Sequence, residues 1–474
     1  MGYADQINFF RNVALTNGCP NIRWVDVPRL GTCEERLVTF YDKIPKALTD
    51  PLTAKEKEAG LYSPPSPPRV LFEGTLDEAQ DFLQQTVLVE NCRNCPIAKY
   101  TDGMPVIIPT EEKVAAMLTG TKHSPSEVIA HPYARSATGQ PGDLVVFSQS
   151  YNTTVEKVAV VAVMAGCKPQ YMPVALAIAT AGGSITSCPG TSGPGGVSAF
   201  VVSGPIAKEI GMNPGQNALD VGNPANNNLG RFAALISINA GGCITGVVRT
   251  DVGNAIHSIC FPEDVDGLPA GWEGYNEEST YYKDGKAVNY TKNESVLGRV
   301  GYRWSLVGNL HSPGSTREMP QGTGGAARYV QYRLGLPAGT PINNWLEAFV
   351  PVMVNAVARP GGRTFIFHPN MALMLVNAGL KTKRAGYEYL VKNFFLTAGY
   401  YSRSGWWDFV TDGGKNIEST SGKPFNQLPE DYPIPAFGTN PMGSCFIVSN
   451  GFADEIVYIW EGGRPSSYPI DPWR

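Results

Sequence analysis

Charged side chains are scarce in this sequence. They make up 17% of the 474 residues, against about 25% in an average soluble protein. Lys plus Arg number 38 and Asp plus Glu number 42, so the formal net charge is −4. This balance excludes the basic footprint of a nucleic-acid-binding protein and the polybasic surface of a membrane-binding one. The low charge, with 43% apolar residues, predicts a homo-oligomer that covers part of its surface.

Long apolar runs are also absent. The closest, Val158–Ser184, is interrupted by Lys168 and two prolines, so it predicts two buried helices rather than a membrane span. The first residues, Met1–Arg11, lack the basic and apolar regions of a signal peptide. We therefore expect a cytoplasmic protein whose nine cysteines are reduced thiols.

The common catalytic motifs are missing as well. The sequence contains no HExxH and no GxSxG, which argues against a zinc peptidase and an α/β-hydrolase nucleophile. No H-x-E followed by PCxxC is present, so a zinc deaminase is unsupported. The sequence assigns no residue as a metal ligand and requires no cofactor, and it leaves open whether dispersed Cys, His and Asp residues bind a metal.

Helix and strand patterns alternate along the chain. They predict an α/β fold of layered helices and mixed sheets, in one or two α/β layers or lobes, preceded by a long irregular N-terminal arm. Composition divides the chain into an arm with a proline-rich connector, an α/β core with a Gly/Asn-rich pocket, an irregular excursion or interface segment, and a C-terminal α/β region. These segments are 1–68, 69–261, 262–342 and 343–474.

Individual elements follow from apolar spacing and capping residues. We expect a helix of about fifteen residues from Leu76, and a capping box at Thr153-x-x-Glu156 before a buried helix. The remaining predicted helices start near Thr110, Pro169 or Pro173, Pro205, Leu229, Asn343, Met371 and Ala385. The predicted strands are Val70–Phe72, Met104–Ile108, Asp143–Phe147, Ser198–Ser203, Ile244–Arg249, Thr364–His368, Cys445–Ser449 and Glu455–Trp460.

The most visible motif is Cys92-x-x-Cys95. A CxxC pair can be a redox centre or half of a zinc site. No second CxxC accompanies it, and the predicted helix would end at Cys92, where the helix dipole disfavours a thiolate. A structural role, a redox role and a metal role therefore all stay open.

A run rich in glycine and asparagine stands between Gly204 and Arg231. Backbone N–H groups at a helix N-terminus can bind a carboxylate or phosphate, and polar side chains nearby would add donors. A capped Asn/Gly turn is the alternative. The candidate substrate-binding residues are Asn217, Asn226, Asn228, Arg231 and, from the preceding helix, Lys157.

Cysteines and carboxylates supply the candidate catalytic groups. His257 and Cys260 would lie on opposite sides of a strand, so Cys260 needs a base from another segment. Glu156 and Glu263 are candidate proton-transfer groups, and Cys167 is a second candidate nucleophile. Asp102, in a predicted turn, is a further candidate acid. Packing or capping is the alternative for each of these residues.

Several of these blocks together resemble a known family. They are Thr101–Val114 (TDGMPVIIPTEEKV), Thr154–Val174 (TVEKVAVVAVMAGCKPQYMPV), the run from Gly204 to Arg231, and Cys260–Glu263 (CFPE). They are similar to large bacterial proteins found with, or fused to, the UGSC-motif (seleno)protein domain, over roughly residues 100–275. The resemblance implies thiol or sulfur chemistry and a UGSC-type redox protein as partner. It implies site roles for Asp102, Glu156, Cys167, Asn226, Arg231, Cys260 and Glu263.

Three hypotheses for function follow. The first is an enzyme that acts on a small, anionic organic molecule by cysteine-assisted cleavage or addition at a carbon–heteroatom bond, as a lyase or hydrolase. In it, Cys260 or Cys167 is the nucleophile, and the helix start at 226–231 binds the anion or an oxyanion. The second is a thiol-redox protein that uses Cys92 and Cys95. The third is a non-catalytic subunit that binds a small anion.

Overall fold

The computed structural model has the α/β architecture that the sequence predicts. It describes residues 2–3, 21–27, 33–58, 60, 69–89, 92–145, 153–182, 198–242, 245, 258–301, 306–307, 360–403, 413–449, 457–460 and 463–474. Helices α1–α11 are, in order, Cys33–Val38, Ile44–Thr49, Leu76–Leu83, Glu111–Leu118, Val155–Met164, Met172–Thr180, Ile206–Glu209, Pro224–Asn239, Pro369–Asn377, Lys383–Asn393 and Ala398–Arg403. Strands β1–β16 are Gly2–Tyr3, Asp26–Val27, Thr86–Val89, Cys95–Ala98, Ser198–Ser203, Ile259–Pro262, Thr280–Lys283, Lys286–Asn289, Val296–Gly301, Leu306–Val307, Thr364–Phe367, Phe395–Thr397, Pro433–Pro435, Cys445–Val448, Val457–Trp460 and Ser466–Pro469.

Two four-stranded sheets form the centre of the described structure. The first sheet has the order β16-β9-β5-β6 and the second has the order β10-β15-β11-β14. In the first, β5 is parallel to β6 and antiparallel to β9. In the second, β11 is parallel to β14 and antiparallel to β15. Both sheets are therefore mixed, and both have the same strand topology.

The outer strands of the two sheets are exchanged between the two halves of the chain. Strand β10 follows β9 in sequence but pairs with β15 of the second sheet. Strand β16 follows β15 but pairs with β9 of the first sheet. The fold thus contains two copies of one topology, each completed by a strand that follows the other copy.

Apolar side chains on both faces of the strands explain how the layers pack. Val201 and Phe261 of the first sheet share a buried cluster with Ile366 and Ile447 of the second. On its other face, the first sheet packs against α5, α6 and α8 in the largest buried cluster. Phe446, on the outer face of the second sheet, packs edge-on against Tyr387 of α10. The order of layers is helices, sheet, sheet, helix.

The sequence explains why α5 and α6 are interior helices. Thr154 caps α5 by accepting a hydrogen bond from the backbone N–H of Lys157. All nine residues of α6 are buried, as expected for a helix that is apolar on every side. No helix among the described residues is long and apolar enough to cross a membrane.

The predicted capping box at Thr153-x-x-Glu156 is wrong by one residue. The cap is Thr154, so the third helical position is Lys157 rather than Glu156. Glu156 instead forms an ion pair with Arg69, at 2.8 Å. Thr153 and Thr154 are both possible N-caps in the sequence. The burial of Val155 decides between them, because it fixes which face of the helix points into the core.

Helix α8 begins at Pro224, five residues before the predicted start, because Asn223 caps it. Gly230 lets this helix approach the first sheet, since a Cβ atom there would collide with the backbone carbonyl of Ser258. Gly386 has the same role in α10, where a Cβ atom would collide with the ring of Phe446. In each half of the chain, a helical glycine thus allows one helix, α8 or α10, to pack closely against its sheet.

Other element predictions require correction. Helix α3 ends at Leu83, and the residues after it form β3, which pairs with β4 as an antiparallel hairpin. Val70–Phe72 and Met104–Ile108 are not strands. The segment 262–342, predicted as irregular, contains β9, a central strand whose small residues Gly298 and Gly301 weaken the apolar alternation. Much of the predicted arm, the helix near Asn343, most of Ile244–Arg249 and the end of Asp143–Phe147 lie outside the described residues.

Candidate functional site

The two candidate nucleophiles of the core are buried. Cys167 and Cys260 lie in the same apolar cluster between the first sheet and its helices, 8% and 3% exposed. Burial raises the pKa of both thiols, and a negative charge on Cys167 would raise that of Cys260 further. A thiol needs a lowered pKa and access to act as a nucleophile. These observations weigh against both cysteines as catalysts.

Glu263 lies on the opposite face of β6 from Cys260. Cys260 packs with the helix-side cluster, whereas its neighbour Phe261 packs between the two sheets. Since side chains alternate along a strand, Glu263 follows the face of Phe261. Strand geometry therefore does not bring these two residues together as a base and its nucleophile.

Asp102 and Arg231 form a two-point ion pair. Arg231 Nε donates to Asp102 Oδ2 at 2.8 Å, and Arg231 Nη2 donates to Asp102 Oδ1 at 3.0 Å. The same guanidinium also donates to the backbone oxygen of Pro105, at 2.8 Å. This geometry fixes the turn at 102–105 to α8, which is a structural use of both predicted site residues.

The asparagines before and within α8 mainly order their own loop. Asn226 is 2% exposed and donates both amide hydrogens, to the carbonyls of Asn213 and Ala218. The side chain of Asn223 accepts from the backbone N–H groups of Ala225 and Asn226. The first N–H groups of the helix are thus occupied, so the anion site predicted at this helix start loses its principal donors.

Three other predicted binding residues occupy different surroundings. Asn228 donates to the carbonyl of Gly166 at 2.6 Å, which joins α8 to the end of α5. Asn217 is exposed and has a φ of 57°, a left-handed conformation that asparagine tolerates. Burial lowers the pKa of Lys157. Among the described residues, none of these three side chains contacts Glu263.

Cys92 and Cys95 lie in the β3–β4 hairpin rather than at the end of a helix. Cys95 pairs with Val89 at the first position of β4. Arg93 and Asn94, between the cysteines, both have positive φ angles, of 56° and 57°. Cys95 is exposed and Cys92 is partly buried. The prediction of a helix C-terminus at this motif is therefore wrong, and with it the argument from the helix dipole.

A buried ion pair connects Glu263 to the second half of the chain. Lys383 Nζ lies 2.8 Å from Glu263 Oε1, and the two side chains are 1% and 0% exposed. The other carboxylate oxygen accepts hydrogen bonds from Ser203 Oγ at 2.7 Å and from the backbone N–H of Tyr275 at 2.6 Å. Burial opposes the charge on Lys383, but Glu263 and Glu278 outweigh it and leave the pKa of Lys383 raised.

A second group of polar side chains continues this network. Glu278 Oε2 accepts a hydrogen bond from Tyr387 at 2.8 Å and lies 3.2 Å from Arg464 Nη2. The Tyr387 hydroxyl in turn accepts from the backbone N–H of Phe446, on the edge of the second sheet. The network therefore ties helix α10 to both sheets.

The carboxyl ends of β6, β11 and β14 lie together next to this network. The backbone N–H of Asp264, just after β6, donates to the carbonyl of Val448 at the end of β14, at 2.8 Å. The N–H of Ser449 donates to the carbonyl of Phe367 at the end of β11, at 2.9 Å. His368 is the next residue. Asp264, Ser449 and His368 are thus neighbours along one edge, which we call the strand-end site.

Two further contacts describe the surroundings of the strand-end site. The Asn/Gly loop reaches it, since Ser449 Oγ donates to the carbonyl of Pro214 at 3.3 Å. Gly267 lies between the Asp264 carboxylate and Pro369, because a Cβ atom there would touch both side chains. Burial raises the pKa of Asp264, the hydrogen bond that its carboxylate accepts from the Gly267 backbone N–H opposes this, and the nearby charges of Asp266 and Glu263 add to the rise. A carboxyl group with a raised pKa at a strand end is a candidate acid or base.

Sequence reasoning found Glu263 but missed its partners. Lys383 and Tyr275 carry no motif, and only folding brings them to the Glu263 carboxylate. One usable signal is present: Ser203 ends β5 and His368 directly follows β11, and each stands shortly before a proline that leads into a helix. This repeated pattern marks the carboxyl ends of β5 and β11, where side chains of α/β sheets commonly bind ligands.

Comparison with known proteins identifies no relative. No family model, no curated protein and no solved structure matches this chain. The resemblance to proteins associated with the UGSC motif therefore stays a prediction. Among the residues that the structure describes, no three His, Cys, Asp or Glu side chains converge in the manner of metal ligands.

Proposed function

We propose that this chain is an enzyme that acts on a small organic molecule by acid–base catalysis at the strand-end site. Asp264 and His368 are the proposed proton-transfer groups, and the Asn/Gly loop with Asn217 is the proposed substrate-binding element. The reaction class is cleavage or addition at a carbon–heteroatom bond, as in a lyase or hydrolase. The substrate class remains the small organic anion of the sequence hypothesis.

The hydrogen bond from Asp264 to Val448 carries this proposal. It joins the carboxyl ends of β6 and β14, so that residues from both halves of the chain share one edge. Ligands of α/β sheets bind outside the carboxyl ends of strands. The raised pKa of Asp264 supports a role in proton transfer, because an acid–base catalyst works best when its pKa approaches the operating pH.

The buried ion pair between Glu263 and Lys383 also supports this proposal. Glu263 is the residue before Asp264, and Lys383 is the first residue of α10. Their ion pair holds these two segments in fixed positions relative to each other. Such support keeps a site in the geometry that catalysis requires. Glu263 keeps a role here as a positioning residue, because its carboxylate already accepts three hydrogen bonds.

The test is turnover of two compound panels by the full chain and its variants. Nitrophenyl esters report hydrolysis, and 2-hydroxy acids with their unsaturated counterparts report elimination and addition of water. We expect Asp264→Asn to lower kcat/KM by about 100-fold, the usual contribution of one acid–base group. Asp266→Glu is the control, because it keeps the negative charge that acts on Asp264, and the Asp266 side chain is 77% exposed. Equal loss in both variants, or none in either, would contradict the proposal.

A non-catalytic binding protein is the second candidate function. The capped start of α8 and the fully bonded Asn226 favour a rigid loop, which suits binding as well as catalysis. Binding of a 2-hydroxy acid, measured by calorimetry, with no turnover at any pH would favour this candidate. Turnover that Asp264→Asn removes would favour the enzyme.

The same proposal includes the compartment, the oligomeric state and a partner of this protein. We infer a homo-oligomer from the low charge content, a cytoplasmic location in which the free cysteines stay reduced, and a UGSC-type redox protein as partner from the resemblance of residues 100–275. The mass of the full chain in solution tests the oligomer, and a monomer would contradict it. Co-purification with a UGSC-type protein from a bacterial lysate tests the partner.

A further inference from the structure

Cys92 lies in the loop between β3 and β4, and Cys95 is the first residue of β4. Cys92 and Cys95 are three residues apart, and the two residues between them both have left-handed conformations. Positive φ at both central residues is the pattern of a type I′ β-turn, in which the Cα atoms of the first and fourth residues lie less than about 7 Å apart. A disulfide requires Cα atoms about 4.4–6.8 Å apart. The turn therefore suits a bond between these cysteines.

Exposure separates this pair from three cysteines of the core. Cys95 is exposed and Cys92 is partly buried, whereas Cys167, Cys260 and Cys445 are buried. Arg93 and Asn94 are exposed between the two thiols, so that no described side chain covers the tip of the hairpin. A reagent in solution can therefore reach Cys95 before any of the three core thiols.

We propose that Cys92 and Cys95 form a thiol–disulfide exchange site for low-molecular-weight disulfides such as oxidised glutathione. The thiolate of Cys95 attacks one sulfur of the small disulfide, which breaks its S–S bond, forms a mixed disulfide on Cys95 and releases one small thiolate. The thiolate of Cys92 then attacks the Cys95 sulfur and releases the second small thiolate. The two cysteine protons pass to the released thiols, so one disulfide is reduced as one forms.

The base of the hairpin is anchored independently of its redox state. Asn239 of α8 donates to the carbonyl of Tyr100 at 2.9 Å, and Arg231 holds Asp102 just beyond. Oxidation at the tip can therefore proceed without loss of the core. Because the strand-end site uses none of these residues, failure of this inference and failure of the proposed function are distinguishable.

The test incubates the full chain with mixtures of oxidised and reduced glutathione, quenches with acid, and maps each cysteine by mass spectrometry. We expect an internal Cys92–Cys95 disulfide to exceed both mixed disulfides by about tenfold, because the second thiol acts at high effective concentration. The variant Cys92→Ser should accumulate glutathione on Cys95, and Cys95→Ser should react more slowly at Cys92. Two reduced thiols, or two separate mixed disulfides, would overturn the proposal.

Substitutions in the turn provide a second readout. Asn94→Gly keeps a residue that accepts positive φ and should leave the internal disulfide at the wild-type level. Asn94→Val places a β-branched residue at this position, which disfavours the left-handed conformation, and should reduce the internal disulfide in favour of mixed disulfides. An equal yield in both variants would contradict the role of the turn.

Discussion

At the scale of single residues, Lys383 and Glu263 form the most deeply buried ion pair among the described residues. Both side chains are almost fully removed from water. Removing one partner of such a pair leaves an uncompensated buried charge, which costs far more than the loss of an exposed pair. The two residues are 120 positions apart, so this contact depends on the whole fold.

We predict that Lys383→Met lowers the free energy of unfolding by about 3–5 kcal/mol, because Glu263 is left buried without its cation. Lys381→Met is the matched control, since Lys381 is exposed two residues earlier, and it should change stability by less than about 0.5 kcal/mol. Urea unfolding measures both. The double variant Glu263→Met/Lys383→Met should recover part of the loss, and a loss larger than that of the single variant would contradict this explanation.

The same pair predicts a dependence of stability on pH. The folded-state pKa of Lys383 is raised above its ordinary value, so its ammonium form contributes stability below the unfolded-state pKa of about 10.4. That contribution is lost as pH rises through the folded-state pKa. The stability difference between wild type and Lys383→Met should be constant from about pH 7 to 9 and shrink above about pH 10.4. A difference that grows with alkaline pH would contradict the assignment.

Sequence reasoning at this scale identified Glu263, Asp102 and Arg231 as special, but not why. Asp102 and Arg231 bind each other at 2.8 Å, although 129 residues separate them. Nothing local in the sequence distinguishes a carboxylate that meets an arginine from one that meets a substrate. The identity of each partner becomes visible only when the strands and helices are placed.

At the scale of secondary-structure elements, the N-terminus of α5 is capped one residue later than the sequence predicts. The cap is the Thr154 side chain, and Glu156 pairs with the exposed Arg69. We predict that Thr154→Ala lowers the free energy of unfolding by about 1 kcal/mol, the usual value of an N-cap. Thr154→Ser should retain most of this stability, because it keeps the hydroxyl group.

Glu156→Ala provides the comparison for this cap. Its side-chain partner Arg69 is 62% exposed, and an exposed ion pair contributes only about 0–1 kcal/mol. Thermal or urea unfolding of the two variants ranks them. A larger loss from Glu156→Ala than from Thr154→Ala would restore the capping box that the sequence first predicted.

Caps and apolar runs made several elements predictable. Thr110 begins α4 and Ser198–Ser203 forms β5, as the sequence predicts. Strand β9 was missed because Gly298 and Arg299 break its apolar pattern, and a close approach of Tyr275 explains the glycine. The hairpin at Cys92 was missed because Thr86–Val89 continues the apolar spacing of α3, which a helical pattern also accommodates.

At the scale of the whole molecule, the exchange of β10 and β16 joins the two sheets. Neither half of the chain completes its own sheet within the described residues. The sequence predicted α/β layers but not this exchange, because strand partners far apart in sequence leave no local pattern. The consequence is that the two sheets should unfold as one cooperative unit.

This cooperativity can be tested at the end of the chain. Trp473, which follows β16, is 2% exposed and packs against His123. We predict that Trp473→Ala lowers protection from hydrogen exchange in both β9 and β15, by about 3–5 kcal/mol. Leu373→Ala, at a 48% exposed position on α9, is the control and should leave both strands unchanged. Loss of protection confined to the first sheet would contradict a single unit.

We propose that proton transfer takes place at the strand-end site and thiol exchange at the hairpin cysteines, whereas Cys167 and Cys260 serve only in packing. The decisive measurement for the cysteines is alkylation of each one in the native protein across a range of pH, followed by mass spectrometry. We predict that Cys167 and Cys260 react at least about 100-fold more slowly than Cys95, because burial raises the pKa of both core thiols. The ordinary pKa of a cysteine thiol is about 8.5. Rapid alkylation of Cys260 or Cys167 well below that pH would contradict a packing role and restore a cysteine nucleophile in the core.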